Sequence, residues 1–232
     1  MPEYGSLEYW DDRYTNLTIK KDFDWYHGYP TLKVFLNKFF KKKDKILMIG
    51  CGNSKLGEDM NDDEFVDIIN MDYSEPLIEY MKERTKGRIG LEYLTMDGRD
   101  MKPFFKDNHF DHVFDKGTLD AVMCSDDDNE NAKQILLEVS RVLKPGGFFI
   151  VMTYGSPESR LPLLNNPIHN WTTELRMAGS NENSQMNQCH YVYICNKNSE
   201  NGESMKHTFP IETHSHFLNS SIGEVPLEIL KL

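Results

Sequence analysis

The chain has 232 residues, 39% hydrophobic and 27% charged, which is enough for one α/β domain with a sizeable core and no need of disulfides or a structural metal. A net charge of -11 argues against a general nucleic-acid binder, because such proteins displace counterions with Lys and Arg, and it suits a basic partner. The longest apolar run, Phe148 to Met152, is far short of the roughly 18 residues that a membrane span needs.

Cys51, Cys124, Cys189 and Cys195 are scattered without a CxxC pair, and the first residues lack the basic and apolar regions of a signal peptide. The expected setting is reducing and cytoplasmic.

Residues 1 to 30 carry Tyr4, Tyr9, Trp10, Tyr14, Trp25, Tyr26 and Tyr29 without a clear period, and read as an extension lying over the domain. Pro30 with Leu32, Phe35, Leu36 and Phe39 predicts an amphipathic helix ending near Lys41 to Lys43. Ile46 to Ile49 is the first buried strand, followed by the glycine turn GCGNS. Val66 to Met71 is the second, ending at Asp72. Ser74 caps a helix carrying Leu77, Ile78 and Met81. Leu91 to Met96 is the third strand, ending at Asp97, and Phe110 to Phe114 the fourth, ending at Asp115 and Lys116.

Ala132, Ile135, Leu136, Val139 and Leu143 mark a long helix stopped by Pro145, Gly146 and Gly147, after which Phe148 to Thr153 is the fifth strand. Leu175 to Met177 and His190 to Cys195 supply a sixth and a seventh. The domain is expected to span residues 1–195 with a tail over 196–232. The alternation of strands and helices predicts a mainly parallel sheet flanked by helices, its last strand antiparallel.

Ligands bind such sheets beyond the strands' carboxyl ends, where Gly50 with Gly52, Asp72, Asp97, and Asp115 with Lys116 line up. Asp72 lies 20 positions beyond Gly52, about the spacing at which an acid reaches a nucleotide ribose. A dinucleotide fingerprint would need glycine at position 55, where Lys55 stands. A phosphate loop would need Lys and Ser or Thr where Glu58 and Asp59 stand. Carboxylates there repel phosphate, so an adenosine ligand without a phosphate chain fits better, and S-adenosylmethionine is the candidate. Its ribose hydroxyls would donate to Asp72 and its adenine amino group to Asp97.

The segments ILMIGCGNS (46–54), MDYS (71–74), MDGRD (96–100), FDKGTLDA (114–121) and SRVLKPGG (140–147) resemble the class I S-adenosylmethionine-dependent methyltransferases. With YWDDRY (9–14) and DWY (24–26), the pairing of GCGNS and DKGTLDA resembles the eukaryotic lysine methyltransferases of elongation factor 1-alpha, the branch that includes the relative encoded with endothelin-converting enzyme. The resemblance covers residues 8 to 155 and implies a Rossmann-like, seven-stranded fold and S-adenosylmethionine as cofactor, leaving as S-adenosylhomocysteine. It also implies a protein substrate with a basic acceptor region, that factor being the first expectation; charge and the short apolar runs predict neither nucleic-acid nor membrane binding, and a monomer is expected.

By motif it implies that Trp10 and Tyr14 close over the cofactor, that Gly50 and Gly52 form the glycine turn and that Asp72 and Tyr73 contact the ribose side. Asp97 and Gly98 would meet the adenine and Lys116 the methionine side.

Among aromatic residues that could orient an amine, Tyr154 is preferred because it follows the fifth strand directly. Asp115 is expected near the acceptor, whereas Asp120 is expected to cap the helix after Gly117. His169, His190, His207, His214 and His216 show no zinc-ligand spacing and read as surface or packing residues, and no metal is expected. A small-molecule methyltransferase and a non-catalytic cofactor-binding module stay open as alternatives.

Overall fold

The computed structural model describes residues 2–15, 22–125, 129–178 and 190–199. Cys189, the tail histidines, most of the tail and the centre of the acidic stretch 125–131 lie outside the described residues.

Seven strands form one sheet: β1 (Ile46–Ile49), β2 (Ile68–Asp72), β3 (Leu91–Thr95), β4 (Phe110–Lys116), β5 (Leu143–Thr153), β6 (Trp171–Ala178) and β7 (His190–Lys197). Their order is β3-β2-β1-β4-β5-β7-β6. The pairs β1–β2, β2–β3, β1–β4 and β4–β5 are parallel, and β7 runs antiparallel to both β5 and β6. Strand order therefore reverses between β1 and β4, the place where an open parallel sheet leaves a crevice above its carboxyl ends.

Helices cover both faces: α1 (Leu7–Thr15), α2 (Tyr29–Phe39), α3 (Leu56–Asp62), α4 (Glu75–Arg84), α5 (Thr118–Val122), α6 (Glu130–Val142) and α7 (Pro157–Leu164). Strand side chains alternate between the two cores. Met48, Phe114, Ile150 and Met152 pack with α1 to α4, while Leu47, Val113, Phe149 and Val151 pack with α6 and α7.

Four elements differ from the sequence reading. First, α6 stops at Val142 rather than at the Pro-Gly-Gly, because Leu143 already pairs with Phe110 as the start of β5. Pro145 to Gly147 instead fall where the register shifts between Phe110 and His112, and a Cβ on Gly147 would come within 2.3 Å of the Asp111 carbonyl oxygen. Second, β2 starts at Ile68, leaving Val66 exposed. Third, β6 extends from Trp171 to Ala178 along its antiparallel partner β7. Finally, α7 was not foreseen, since Pro162 interrupts it and only Arg160 and Leu164 are buried.

Candidate active site

A cavity of about 680 Å³ lies over the carboxyl ends of β1, β2 and β4 and is roofed by the N-terminal arm. Its lining includes Gly50, Gly52, Asp72, Tyr73, Asp97, Gly98 and Lys116 from the sheet side, with Trp10, Tyr14 and Trp25 from the arm.

The floor is backbone. Gly50 and Gly52 have φ of +56° and +53°, the left-handed region that favours glycine. A Cβ on Gly50 would lie 2.2 Å from Thr118 Oγ1, and one on Gly52 would meet the Tyr14 hydroxyl at 3.0 Å. Gly50→Ala is accordingly expected to destabilise the fold by about 2 to 4 kcal/mol through φ strain and overpacking, read as a lowered urea midpoint. An unchanged midpoint would mean that the turn relaxes at no cost.

Asp72 ends β2 beneath this turn and is 7% exposed. It accepts the Gly52 N–H at 3.0 Å and the Ser74 N–H at 3.1 Å. Burial pushes its carboxyl up to about 6, opposed by those backbone N–H groups and that of Tyr73. Asp97 follows β3 by two residues and is held by Arg99, whose Nη2 is 2.6 Å from its Oδ2. Burial works against its charge, but the Arg99 hydrogen bonds prevail and hold it below its ordinary value. Arg99 also donates to Asn131 at 2.6 Å, tying this loop to α6.

The roof is latched to the floor. Lys116 donates to Asp24 Oδ1 at 3.0 Å and to the Trp25 carbonyl at 2.9 Å, and Ser54 donates to the same Asp24 carboxylate. Burial, partly offset by Asp24, lowers the Lys116 ammonium. Asp11 accepts the Ser74 hydroxyl at 2.6 Å. Trp10 and Tyr14, at i and i+4 on α1, stack at 5.7 Å over the cavity, and the Trp10 indole N–H donates to the Tyr4 carbonyl at 2.7 Å.

The two carboxylates after β4 exchange the positions read from the sequence. Asp115 is fully buried and caps α5, accepting the Thr118 N–H at 2.8 Å and the Leu119 N–H at 3.1 Å. Strand alternation explains this, for Asp115 shares the Val113 face toward α6 whereas Lys116 shares the Phe114 face toward the arm. Burial, and then Asp120, push Asp115 up to about 7.

Asp120 does not cap the helix. Its carboxylate accepts the Tyr26 hydroxyl, the Thr153 hydroxyl, the Tyr154 N–H at 3.2 Å and Arg160 Nη2 at 2.5 Å. It thereby joins the arm, the end of β5 and α7.

Tyr154 is 54% exposed, and its ring meets that of Tyr26 edge-on at 4.9 Å. Tyr26 in turn lies against Gly117 of the cavity wall, 3.3 Å from where a Cβ would stand. It adopts a φ of +64°, a strained conformation for a tyrosine that its bond to Asp120 holds in place.

The sequence reading missed Asp24, Ser54, Arg99 and Arg160. It read His190 as a surface or packing residue and assigned His27 no place, whereas the structure pairs the two at 3.2 Å. DWY hinted at Asp24, and MDGRD places Arg99 two positions after Asp97, but Ser54 and Arg160 meet partners 30 and 40 positions away and leave no spacing signal. Among the described residues no group of three or more His, Cys, Asp or Glu is placed to hold a metal, and no helix is long and apolar enough to cross a membrane.

A methyltransferase-domain family model matches residues 47–151. The "eEF1A lysine and N-terminal methyltransferase" of Homo sapiens is 40% identical over 154 residues, covering 65% of this chain and 22% of that protein. This chain thus spans about a fifth of that longer relative. The "EEF1A lysine methyltransferase 4" of Mus musculus is 32% identical over 178 residues, covering 73% of this chain and 69% of that one.

Among solved structures, a Haemonchus contortus phosphoethanolamine N-methyltransferase in complex with S-adenosylhomocysteine matches with a TM-score of 0.60 at 13% identity, over 84% of this chain and 61% of that one. A Methanosarcina mazei S-adenosylmethionine-dependent methyltransferase gives 0.56 at 18% identity, over 72% and 98%. At such identities these two speak for the fold alone.

The chain belongs to the class I S-adenosylmethionine-dependent methyltransferases. The glycine floor, buried carboxylate and roofed cavity suit an adenosyl ligand. Within that class the chain is related to the eEF1A lysine methyltransferases.

Proposed function

We infer that this chain methylates a lysine side chain of a protein, with elongation factor 1-alpha the first candidate, and that residues 1–195 form the catalytic unit. The names of the relatives support the acceptor. The observation that carries the reading is the corner of Tyr26 and Tyr154, with rings at 4.9 Å and 87° beside the cavity wall. Aromatic faces attract an alkylammonium while leaving its lone pair free once it is deprotonated.

The cofactor supplies a methyl group on a cationic sulfonium. This chain's residues would hold and align it: Gly50 and Gly52 allow close backbone approach, Asp72 and Tyr73 would take the ribose, and Asp97 and Gly98 the adenine. Lys116 would serve the methionine side, and Trp10 and Tyr14 would exclude water from above. In-line displacement at carbon needs alignment and a dry site more than a protein nucleophile. Asp115 enters this reading as the cap that fixes α5, and Tyr154 as the acceptor's guide.

The test is transfer of labelled methyl from S-adenosylmethionine into purified elongation factor 1-alpha and into cell lysate, with mass spectrometry of the products. Methyl-lysine on the factor is the expected result. Label confined to small molecules would replace this reading with the small-molecule enzyme, and tight cofactor binding without any product would replace it with a regulatory module.

A further inference from the structure

An acceptor lysine arrives as an ammonium, because with an ordinary pKa near 10.4 it is almost wholly protonated at pH 7. We propose, resting on the amine-acceptor reading above, that His190 takes this proton and passes it through His27 to solvent.

His190 opens β7 beside the end of β5, where Thr153 pairs with Tyr191. Its ring lies 4.5 Å from that of Tyr26 and 4.5 Å from that of Tyr154, so it backs the same corner the amine would pass. The residue is only 6% exposed, and among the described residues its Nε2 has no hydrogen-bond partner. A buried imidazole nitrogen left unpaired is costly unless a ligand completes it. Its other nitrogen, Nδ1, lies 3.2 Å from Nε2 of His27, whose ring stands perpendicular at 5.0 Å and is part-exposed. Two imidazoles joined in this way connect a buried nitrogen to the surface.

The charged groups around the pair are already engaged. Asp120 accepts from four donors, Lys116 is held by Asp24 and the Trp25 carbonyl, Asp115 caps α5, and the Tyr26 hydroxyl is given to Asp120. Burial, and then His27, lower His190 to about 4 against the pull of Asp120. Burial and Lys116 lower His27. Both rings therefore rest neutral at pH 7, and neither retains a proton it receives.

At rest His190 carries its hydrogen on Nδ1, donated to His27 Nε2, and presents the lone pair of Nε2. The transfers occur in one concerted shift, so that neither imidazole becomes charged: the ammonium N–H bond breaks and its proton joins His190 Nε2. The Nδ1 proton moves to His27 Nε2, and the His27 Nδ1 proton leaves to water. The amine lone pair then forms the N–C bond as the C–S bond breaks, its electron pair staying on sulfur. Exchange with water restores the tautomers after release.

Two measurements test the relay. With S-adenosylmethionine and a lysine acceptor, His190→Gln and His27→Gln should each lower kcat about a hundredfold at pH 7 with cofactor Kd unchanged. The deficit should shrink as pH rises toward 10, because more of the amine then arrives already deprotonated. A pH-independent loss, or none, overturns the relay. Long-range nitrogen–proton NMR of the wild-type chain should show His190 as the Nδ1–H tautomer, neutral down to pH 5, with its signals displaced by His27→Gln. An Nε2–H tautomer, or titration near 6.5, overturns the relay without any turnover being measured. A wild-type chain that methylates no amine instead removes the acceptor reading on which the relay rests.

Discussion

Asp72→Ala is expected to weaken S-adenosylmethionine binding by about 1 to 3 kcal/mol, roughly 5- to 150-fold in Kd by titration calorimetry. Two effects add. The ribose hydroxyls lose a carboxylate acceptor, and the N–H groups of Gly52 and Ser74, now served at 3.0 and 3.1 Å, lose theirs, loosening the turn beneath the ligand. The carboxyl of the ligand-free protein is pushed up to about 6 by burial, so it is largely protonated at pH 5 and largely charged at pH 7.5. Hydroxyl donors favour the charged form. Affinity in the wild-type chain should therefore rise as pH climbs through 6, and Asp72→Asn should flatten that rise. Wild-type affinity that does not vary across this range, or an alanine variant that binds normally, would take Asp72 out of the site.

The same residue shows why part of the site was legible before any coordinates. In a parallel sheet every strand delivers its last residue to one edge, so a polar residue closing an apolar run is placed by topology alone. Asp72 and Lys116 line the cavity for this reason, and Asp97 lines it from the turn just beyond β3. Trp10 and Tyr14 were readable as well, since their spacing puts them on one helical face.

What escaped depends on side chains that meet only after folding. His27 and His190 are separated by 163 positions, and Tyr26 and Asp120 by 94. The exchange of Asp115 and Asp120 has a different cause. Both stand near a helix start, and only the strand's alternation, fixed by its parallel pairing with β1 and β5, sends Asp115 behind the sheet. Helix α7 was hidden because, with only Arg160 and Leu164 buried, its apolar residues form no continuous buried stripe.

Asp120→Ala should have the largest effect on stability, about 3 to 5 kcal/mol, because it removes one member of a buried ion pair and strands the other. Arg160 and Asp120 are 8% and 19% exposed in their side chains and meet at 2.5 Å. Without the carboxylate the guanidinium is left uncompensated, the Thr153 and Tyr26 hydroxyls lose their acceptor, and Tyr26 loses the hydrogen bond that opposes the strain of its left-handed conformation. For a chain of this size the loss amounts to a fall in Tm on the order of 10 °C by calorimetry. Asp120→Asn, which keeps the shape and some acceptor capacity, should fall between. A double variant with Arg160→Met should recover part of the loss, since it removes the stranded charge. The arm is anchored at Tyr26, at Asp24 and at Asp11, so Asp120→Ala should also speed cofactor release more than it slows uptake, as expected of a roof that has lost one of its fastenings. A Tm within about 1 °C of wild type would show that solvent or a neighbouring group replaces the carboxylate, and that the corner stands without its central acceptor.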